Sequence, residues 1–463
     1  MRFPGAAGSV IWAIEMSETK KIRAKQRAEL VGPSHYVLSD GVPVPVHVFL
    51  SEELYEASDL ESWDQMVAAA SFPGVKRVVV TPDTHVGYGV PIGIVIETEG
   101  TLLPTAAGYD IGCGMVQLKT TLGADDVRDA KLRRTWIRAV EERIAVGVGA
   151  RRVAKQRVVS DDLFRKILRA GARALGRDSR IAERELIPVE HEGVEIPEKS
   201  LSKTHQLGSL GGGNHFCEMQ IEQGSERVWV MIHTGSRGFG WNIANRFFQE
   251  GADHLGIAKA RRDFVYFDRD SDIGKRYWAL HNMSANFAIA NRVLIGEAVS
   301  AALEDVFGGE AEIFYEISHN LIQLEAGRFV HRKGATRAFP AGHEALSGTV
   351  WANTGHPILI PGSMATGSAI LYAEPGASAS CFSVNHGSGR ALSRTAAKKQ
   401  LDQRKIDQQM TKLDVVLNTP KTPIDESGPC YKDLSKVLAA IEEAGLARVR
   451  HRLRPVACIK GND

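Results

Sequence analysis

Six side chains able to bind a transition metal or attack phosphorus stand in five short clusters of small residues. They read Gly-Tyr-Asp110-Ile-Gly-Cys113-Gly-Met, Gly-Gly-Gly-Asn214-His215-Phe, Ile-His233-Thr-Gly-Ser-Arg237-Gly, Ser-His319-Asn320 and Val-Asn385-His386-Gly387-Ser-Gly389-Arg390. One carboxylate, one thiolate and four imidazoles form a borderline-soft donor set, suited to Zn, Mn, Fe or Co rather than Mg or Ca. A thiolate sulfur can also bridge two ions, which permits a two-metal site ~3.5–4 Å across. Such a centre leaves one histidine to spare, which points to chemistry beyond metal binding.

Taken singly, each cluster has a plainer explanation. Asp110-x-x-Cys113 fits a buried cysteine beside a turn aspartate, and His215, His233 and His319 each fit a core or capping histidine. Taken together, ligation explains them better. Asn214 adds an amide for a phosphate or a metal-bound water. Thr234 to Gly238 offers N–H and hydroxyl donors with Arg237, the makings of an oxyanion nest. His386 differs from the rest because its neighbours are too small to shield it. A neutral imidazole is a competent nucleophile toward phosphorus, the glycines beside it would admit a triphosphate, and Arg390 would neutralise phosphate charge.

These side chains need elements that deliver them to one place. Residues 75–80, 91–97, 115–120, 227–232, 313–317 and 455–459 read as short, β-branched strands bounded by glycine or proline. Those at 227–232 and 313–317 run directly into His233 and His319. Residues 127–146, 161–175, 282–304 and 434–444 carry helical periodicity. Strands and helices mix from end to end, so the class is α/β, with ligands delivered at strand ends. There is no repeat of fixed period, no GxGxxG fingerprint and no GxxxxGK[ST] phosphate loop.

The 463-residue chain can bury a large core, and 43% hydrophobic with 24% charged residues is ordinary for a soluble globular protein. A net charge of +2 does not mark the whole chain as a nucleic-acid binder. Basic residues do cluster, at 20–27, 390–404 and 448–454, and a local basic stripe is the footprint of a polyanion partner. Five cysteines without framework spacing argue for a reducing, cytoplasmic setting. No run approaches a membrane span. The apolar start is too short for a signal peptide. Met16 opens a more ordinary beginning, so residues 1–15 are expected to be dispensable.

Further motifs connect the clusters: Pro82-Asp83-Thr-His85-Val-Gly87-Tyr-Gly89, Gly-Asn214-His215-Phe-Cys-Glu218, Ala285-Asn286-Phe-Ala-Ile-Ala-Asn291-Arg292, Val330-His331-Arg332-Lys333-Gly334-Ala335-Thr336-Arg337, Gly362-Ser363-Met364 and Leu453-Arg454-Pro455-Val-Ala-Cys-Ile-Lys460-Gly461. In this order, from about Val75 to Gly461, the chain resembles the RtcB-type RNA ligases, GTP- and Mn²⁺-dependent enzymes of tRNA splicing and RNA repair. The resemblance implies a single large domain with mixed sheets around a deep dinuclear metal cleft. That domain would span 31–463, with a basic helical insertion near 124–200, after a partly disordered extension at 1–30.

By the same resemblance, one Mn²⁺ is held by Asp110, Cys113 and His215, and a second by Cys113, His233 and His319. His386 carries GMP as a phosphoramidate. Asn214, Glu218, Ser363, Ser368, Gly387, Gly389, Tyr431 and Lys460 contact the nucleotide. Asp83 and Asn320 support the site, and Arg237 and Arg390 contact RNA phosphates. The expected reaction joins a 3′-phosphate or 2′,3′-cyclic phosphate RNA end to a 5′-hydroxyl end, because GMP placed on the 3′-phosphate turns a poor leaving group into a good one. The expected assembly is a monomer or weak dimer, with an archease-type activator as partner. The alternative is a dinuclear-metal RNA cyclic phosphodiesterase lacking ligation, which would share the metal ligands and part from the ligase at His386 and the guanine pocket. Departures from the family pattern fall at Ala365, Ala369, Asn385 and Ser388, beside the nucleotide and RNA pockets, and place the RNA substrate rather than the catalytic core in question.

Overall fold

Two large sheets and one long helix organise the protein. The computed structural model describes residues 24–176 and 193–461. Most of the expected N-terminal extension, the choice between Met1 and Met16, and part of the 124–200 stretch therefore lie outside the described residues.

The first sheet has seven strands in the spatial order Glu29–Gly32, His35–Leu38, Val46–Phe49, Val75–His85, Ile92–Thr98, Arg328–Lys333 and Asn320–Glu325. Its one parallel pair joins Val46–Phe49 to Val75–His85, with the helix Leu60–Ala70 in the crossover between them. The second sheet runs Ala311–Ser318, Gly114–Gly123, Arg227–Thr234, Phe216–Glu222, Ala447–Lys460, Ser368–Ala373 and Pro357–Pro361, and Val416–Leu417 adds an eighth strand. The fold is thus mixed α/β, as the pattern of elements implied, and forms the single domain that the family resemblance implied.

Helix Asp272–Phe307 is 36 residues long, capped by Ser271, whose side chain accepts from the Gly274 N–H, and stopped by Gly308 in the left-handed conformation. Every residue from 277 to 296 is buried. A helix buried on all sides must satisfy its polar groups against its neighbours, and this one does so with Asn286, Asn291 and Arg292. The helix begins ten residues before the 282–304 expected from sequence. Ala130–Glu141 packs Trp136, Ile137 and Val140 into the core beneath the second sheet. Asp161–Ala170 buries Phe164, Ile167 and Leu168 in the core shared with the long helix.

The closing strand is also longer than its apolar stretch suggests, Ala447–Lys460 rather than 455–459. Pro455 is tolerated in its middle because it lies where the register with Phe216–Glu222 shifts, opposite Gln220. Among the described residues, no helix is long and apolar enough to cross a membrane.

Candidate active site

The strand ends of the second sheet point three ligands at one another. Cys113 immediately precedes Gly114–Gly123, His233 is the penultimate residue of Arg227–Thr234, and His319 immediately follows Ala311–Ser318. Because these three strands are adjacent and in register, Gly114 pairs with both Thr234 and Ser318. The buried Arg292 locks this end of the sheet. Its Nη1 donates to the carbonyls of Gly112 (2.5 Å) and Thr234 (3.1 Å), its Nη2 donates to Ser318 Oγ (2.7 Å), and it pairs with buried Glu316. Asn291, one residue before, accepts from the Gly208 and Ser209 N–H groups and donates to the Gly235 carbonyl.

Two donor groups result, each with its ligand atoms within 4.8 Å of one another: Cys113 with His233 and His319, and Asp110 with Cys113 and His215. Cys113 belongs to both, so its sulfur lies between them. The tautomers suit metal binding. His215 Nδ1 lies 3.0 Å from the Leu210 carbonyl and His233 Nδ1 lies 3.2 Å from the Asn214 carbonyl, so both rings donate there and turn Nε2 inward. His233 Nε2 then stands 3.2 Å from His319 Nε2 and 3.2 Å from Cys113 Sγ, and His215 Nε2 stands 3.1 Å from Asp110 Oδ2. Imidazole nitrogens, a cysteine sulfur and a carboxylate oxygen gathered this closely make the donor set of a transition-metal site, so the residues fit a pair of bound metal ions.

Electrostatics agree. Burial, then the neighbouring imidazoles, holds His233 and His319 well below the usual histidine range, in the neutral form that a metal requires. Burial alone would raise the Asp110 carboxyl, but the His215 hydrogen bond and charge and the Arg237 guanidinium outweigh it and keep it ionised. Burial and the Asp110 carboxylate push the Cys113 thiol up, so forming the thiolate calls for a cation.

The Ser236 donors of the Thr234–Gly238 stretch serve Asp110 rather than an open oxyanion nest. The Ser236 N–H (3.0 Å) and hydroxyl (3.2 Å) donate to Asp110 Oδ1 at the N-terminus of helix Arg237–Leu255. Gly235 must lack a side chain, since a Cβ there would lie 2.4 Å from both Asp110 oxygens. Arg237 is folded over Gly211 with Nη1 3.2 Å from His215 Nδ1.

His386 stands beside the Cys113–His233–His319 donor group, its ring centroid 4.4 Å from that of His319. The short pairing of Ala335–Arg337 with Ser383–Asn385 delivers it. Its Nδ1 lies 2.8 Å from both Asp83 Oδ2 and the Gly334 carbonyl. Nδ1 therefore carries the proton, and Nε2 keeps a free lone pair. Asp83 is fully buried, with Thr81 Oγ1 at 2.8 Å from its Oδ1. Gly389 allows this approach: with φ of +77°, a Cβ there would meet the Asp83 carbonyl at 2.1 Å. Asn320 joins the two halves, its Oδ1 accepting from the Gly334 N–H at 2.9 Å and its Nδ2 donating to the Asp110 carbonyl at 3.4 Å.

A cavity of about 330 Å³ opens over this centre. Of the residues singled out from sequence, Asp110, Cys113, Asn214, Glu218, His233, His319, Asn320, Ser363, Ser368, His386, Gly387, Gly389, Arg390, Tyr431 and Lys460 line it. Asp83, His215 and Arg237 stand behind that first layer. At the far end, Glu218 and Lys460 face the cavity from neighbouring strands. Burial lifts the Glu218 carboxyl to about 7 against the pull of Gln220 and Lys460. Gln220 Nε2 bridges Glu218 Oε1 (2.8 Å) and Ser368 Oγ (2.9 Å). Ser363 closes a tight turn with Thr366.

Sequence reasoning missed Glu426, on which this end converges. Its Oε2 accepts from Tyr431 (2.5 Å) and Lys460 (3.1 Å), and its Oε1 faces Arg390 (3.2 Å) and Arg394 (3.0 Å). Arg390 also donates to the carbonyls of Leu392 and Asp425, so all three of its guanidinium nitrogens are held within the protein. The signal was Asp425-Glu426 between two prolines and five residues before Tyr431, within reach of a strongly basic stretch. Two of the positions that depart from the expected pattern are only partly satisfied. Asn385 Nδ2 donates to the Gly387 carbonyl at 2.6 Å, whereas Asn385 Oδ1 and Ser388 Oγ are buried without a partner.

The family model described as tRNA-splicing ligase RtcB matches residues 65–461. A tRNA-splicing ligase RtcB of Thermococcus kodakarensis is 33% identical over 90% of this chain and 95% of its own length. An RNA-splicing ligase RtcB of Mycobacterium tuberculosis is 34% identical over 86% of this chain and its full length. A tRNA-splicing ligase RtcB of Archaeoglobus fulgidus is 32% identical over 91% and 95% respectively.

Proposed function

The chain belongs to the RtcB family of tRNA-splicing ligases, and from that premise we propose that it joins a 3′-phosphate or 2′,3′-cyclic phosphate RNA end to a 5′-hydroxyl end through a covalent His386–GMP intermediate. The observation that carries this reading is the orientation of His386, with Nδ1–H committed to Asp83 and Gly334 and Nε2 free beside the donor groups.

The Nε2 lone pair attacks the α-phosphorus of GTP, the bond from that phosphorus to the bridging oxygen breaks, and pyrophosphate leaves. The ring keeps its Nδ1 proton, so the phosphoramidate is cationic and the buried Asp83 carboxylate stabilises it. An RNA 3′-phosphate oxygen then displaces the imidazole, taking GMP onto the RNA. Attack of the 5′-hydroxyl on the 3′-phosphorus expels GMP and forms the phosphodiester. A cyclic end must first be opened by water. Two divalent ions, Mn²⁺ in this reading, held by Asp110, Cys113 and His215 and by Cys113, His233 and His319, would offset phosphate charge and polarise phosphorus.

Guanine sits at the Glu218–Lys460 end. A carboxylate suits N1–H and N2–H₂, an ammonium suits O6, and adenine mismatches both. Glu426, pinned by Arg390 and Arg394, holds Lys460 and Tyr431 in place. All five cysteines are free thiols, which suits a reducing cytoplasm.

The test uses α-labelled GTP and Mn²⁺. An acid-labile, base-stable adduct that His386→Ala abolishes, together with sealing of 3′-phosphate and 5′-hydroxyl oligonucleotides, is the expected result. Opening of cyclic phosphates without any adduct would instead mark a phosphodiesterase.

A further inference from the structure

Among the described residues, two aromatic side chains stand well out in solvent, Tyr88 at 40% and Trp241 at 49% exposure. Both belong to one ring cluster. Tyr109 stacks on Trp241, with centroids 6.0 Å apart and planes 24° apart, and meets Tyr88 at 5.3 Å. Phe248 closes the cluster from below, 4.9 Å from Tyr109. The backbone carbonyl of Tyr88 is held by the buried Lys333 ammonium at 2.6 Å. Exposed rings on a fixed base form a surface feature that core packing does not require.

The cluster is continuous with the site. Tyr109 is the chain neighbour of Asp110. Trp241 lies one turn along the helix whose first residue, Arg237, reaches His215 and whose cap, Ser236, holds Asp110. The platform thus adjoins the Asp110–Cys113–His215 donor group through Asp110 and the helix that anchors it. Positive charge flanks it. Lys259, Arg261 and Arg262 lie on the short helix Lys259–Phe264, and Arg262 Nε donates to the Tyr88 hydroxyl at 3.3 Å. Lys203 lies over Gly238, three residues before Trp241.

We propose that Tyr88, Tyr109 and Trp241 form a stacking platform for the nucleobases of a single-stranded RNA end whose terminal group sits at the metal donors. This rests on the ligase reading and adds how the RNA strand is held. Stacked rings beside a cationic rim are the standard means of gripping single strands without reading sequence, since every base has a π face and each phosphate meets the lysines and arginines.

The experiment measures anisotropy of two labelled single-stranded RNA decamers, one ending in a 3′-phosphate and one beginning with a 5′-hydroxyl. It uses the full chain loaded with Mn²⁺, without GTP. Trp241→Ala is expected to weaken binding of at least one decamer about tenfold, and Trp241→Phe to stay within about threefold of the parent. The decamer affected identifies the end that lies on the rings. Trp241→Ala should leave the salt dependence of binding unchanged, whereas Arg262→Ala should lower its slope by about one, because only the arginine displaces counterions. Melting midpoints matching the parent verify folding. A parent that binds both decamers, with Trp241→Ala and Tyr88→Ala indistinguishable from it, overturns this inference alone. A parent that binds neither overturns the ligase reading with it.

Discussion

Asp83 and His386 are 303 residues apart in the chain and meet with 2.8 Å between Oδ2 and Nδ1. Since the Gly334 carbonyl also holds Nδ1–H, removing the Asp83 charge leaves the tautomer in place and isolates the electrostatic contribution. Asp83→Asn is expected to slow adduct formation by about 10²–10⁴-fold while GTP affinity stays within about threefold. Single-turnover labelling with α-labelled GTP, beside equilibrium nucleotide binding, separates the two. An unchanged labelling rate would remove Asp83 from the mechanism.

Sharing of Cys113 between two donor groups makes metal stoichiometry diagnostic. Titration calorimetry with Mn²⁺ should find two sites in the parent and one in His215→Ala or His319→Ala. Cys113→Ala, which takes a ligand from both groups, should lose both sites or weaken them by several orders of magnitude. Two sites of parental affinity in Cys113→Ala would refute the bridging arrangement.

Much of this site was legible because its side chains carry chemistry and its strands end on them. His233 and His319 each close an apolar, β-branched run, so both the strand and the histidine at its end showed in one stretch. Helix Arg237–Leu255 was not legible, because Gly-Ser-Arg-Gly-Phe-Gly reads as a loop and only the anchoring of Asp110 on its N-terminus explains the choice of residues. The early strands from Glu29 to Phe49 were missed for another reason: they are four residues each and too short to show alternation. Glu426 escaped notice because its role depends on four partners brought together only by the fold.

Arg292 and Glu316 are both fully buried. Removing one charge strands the other, at a cost of about 3–5 kcal/mol. Arg292→Met should therefore lose that much stability in denaturant titrations, and Arg292→Met with Glu316→Gln should recover a substantial part of it. Mn²⁺ affinity should remain weakened in the double variant, because the Gly112 and Thr234 carbonyls lose their common donor. Parental metal affinity there would reduce Arg292 to a stability role.

Glu218 gives the site a pH dependence with opposite signs for binding and stability. Its carboxyl is lifted by burial from 4.5 to about 7, so it is mostly protonated at pH 6 and mostly ionised at pH 8. Guanine needs the ionised acceptor, so GTP affinity should rise about tenfold over that interval. Stability of the nucleotide-free protein should move the other way. A folded-state pKa raised above the unfolded value favours the fold below the unfolded pKa, and that contribution fades as pH climbs through about 7. Glu218→Gln should flatten both profiles. A GTP affinity that falls between pH 6 and 8 in the parent would contradict the assignment.

Lys460 tests the guanine pocket most directly. Its ammonium lies 3.1 Å from Glu426 Oε2, and the same oxygen takes the Tyr431 hydroxyl. Lys460→Ala removes the donor expected at guanine O6, while Arg390 and Arg394 still balance the Glu426 charge. The pocket should therefore keep its shape and lose its preference. The GTP-to-ATP ratio for adduct formation is expected to drop by about 10²-fold or more, with Mn²⁺ stoichiometry unchanged. Lys460→Arg keeps the charge but lengthens the side chain in a packed site, so it should restore charge without restoring discrimination. Competition labelling with both nucleotides reads the ratio in one tube. A preference for GTP that survives Lys460→Ala would move guanine recognition to other residues.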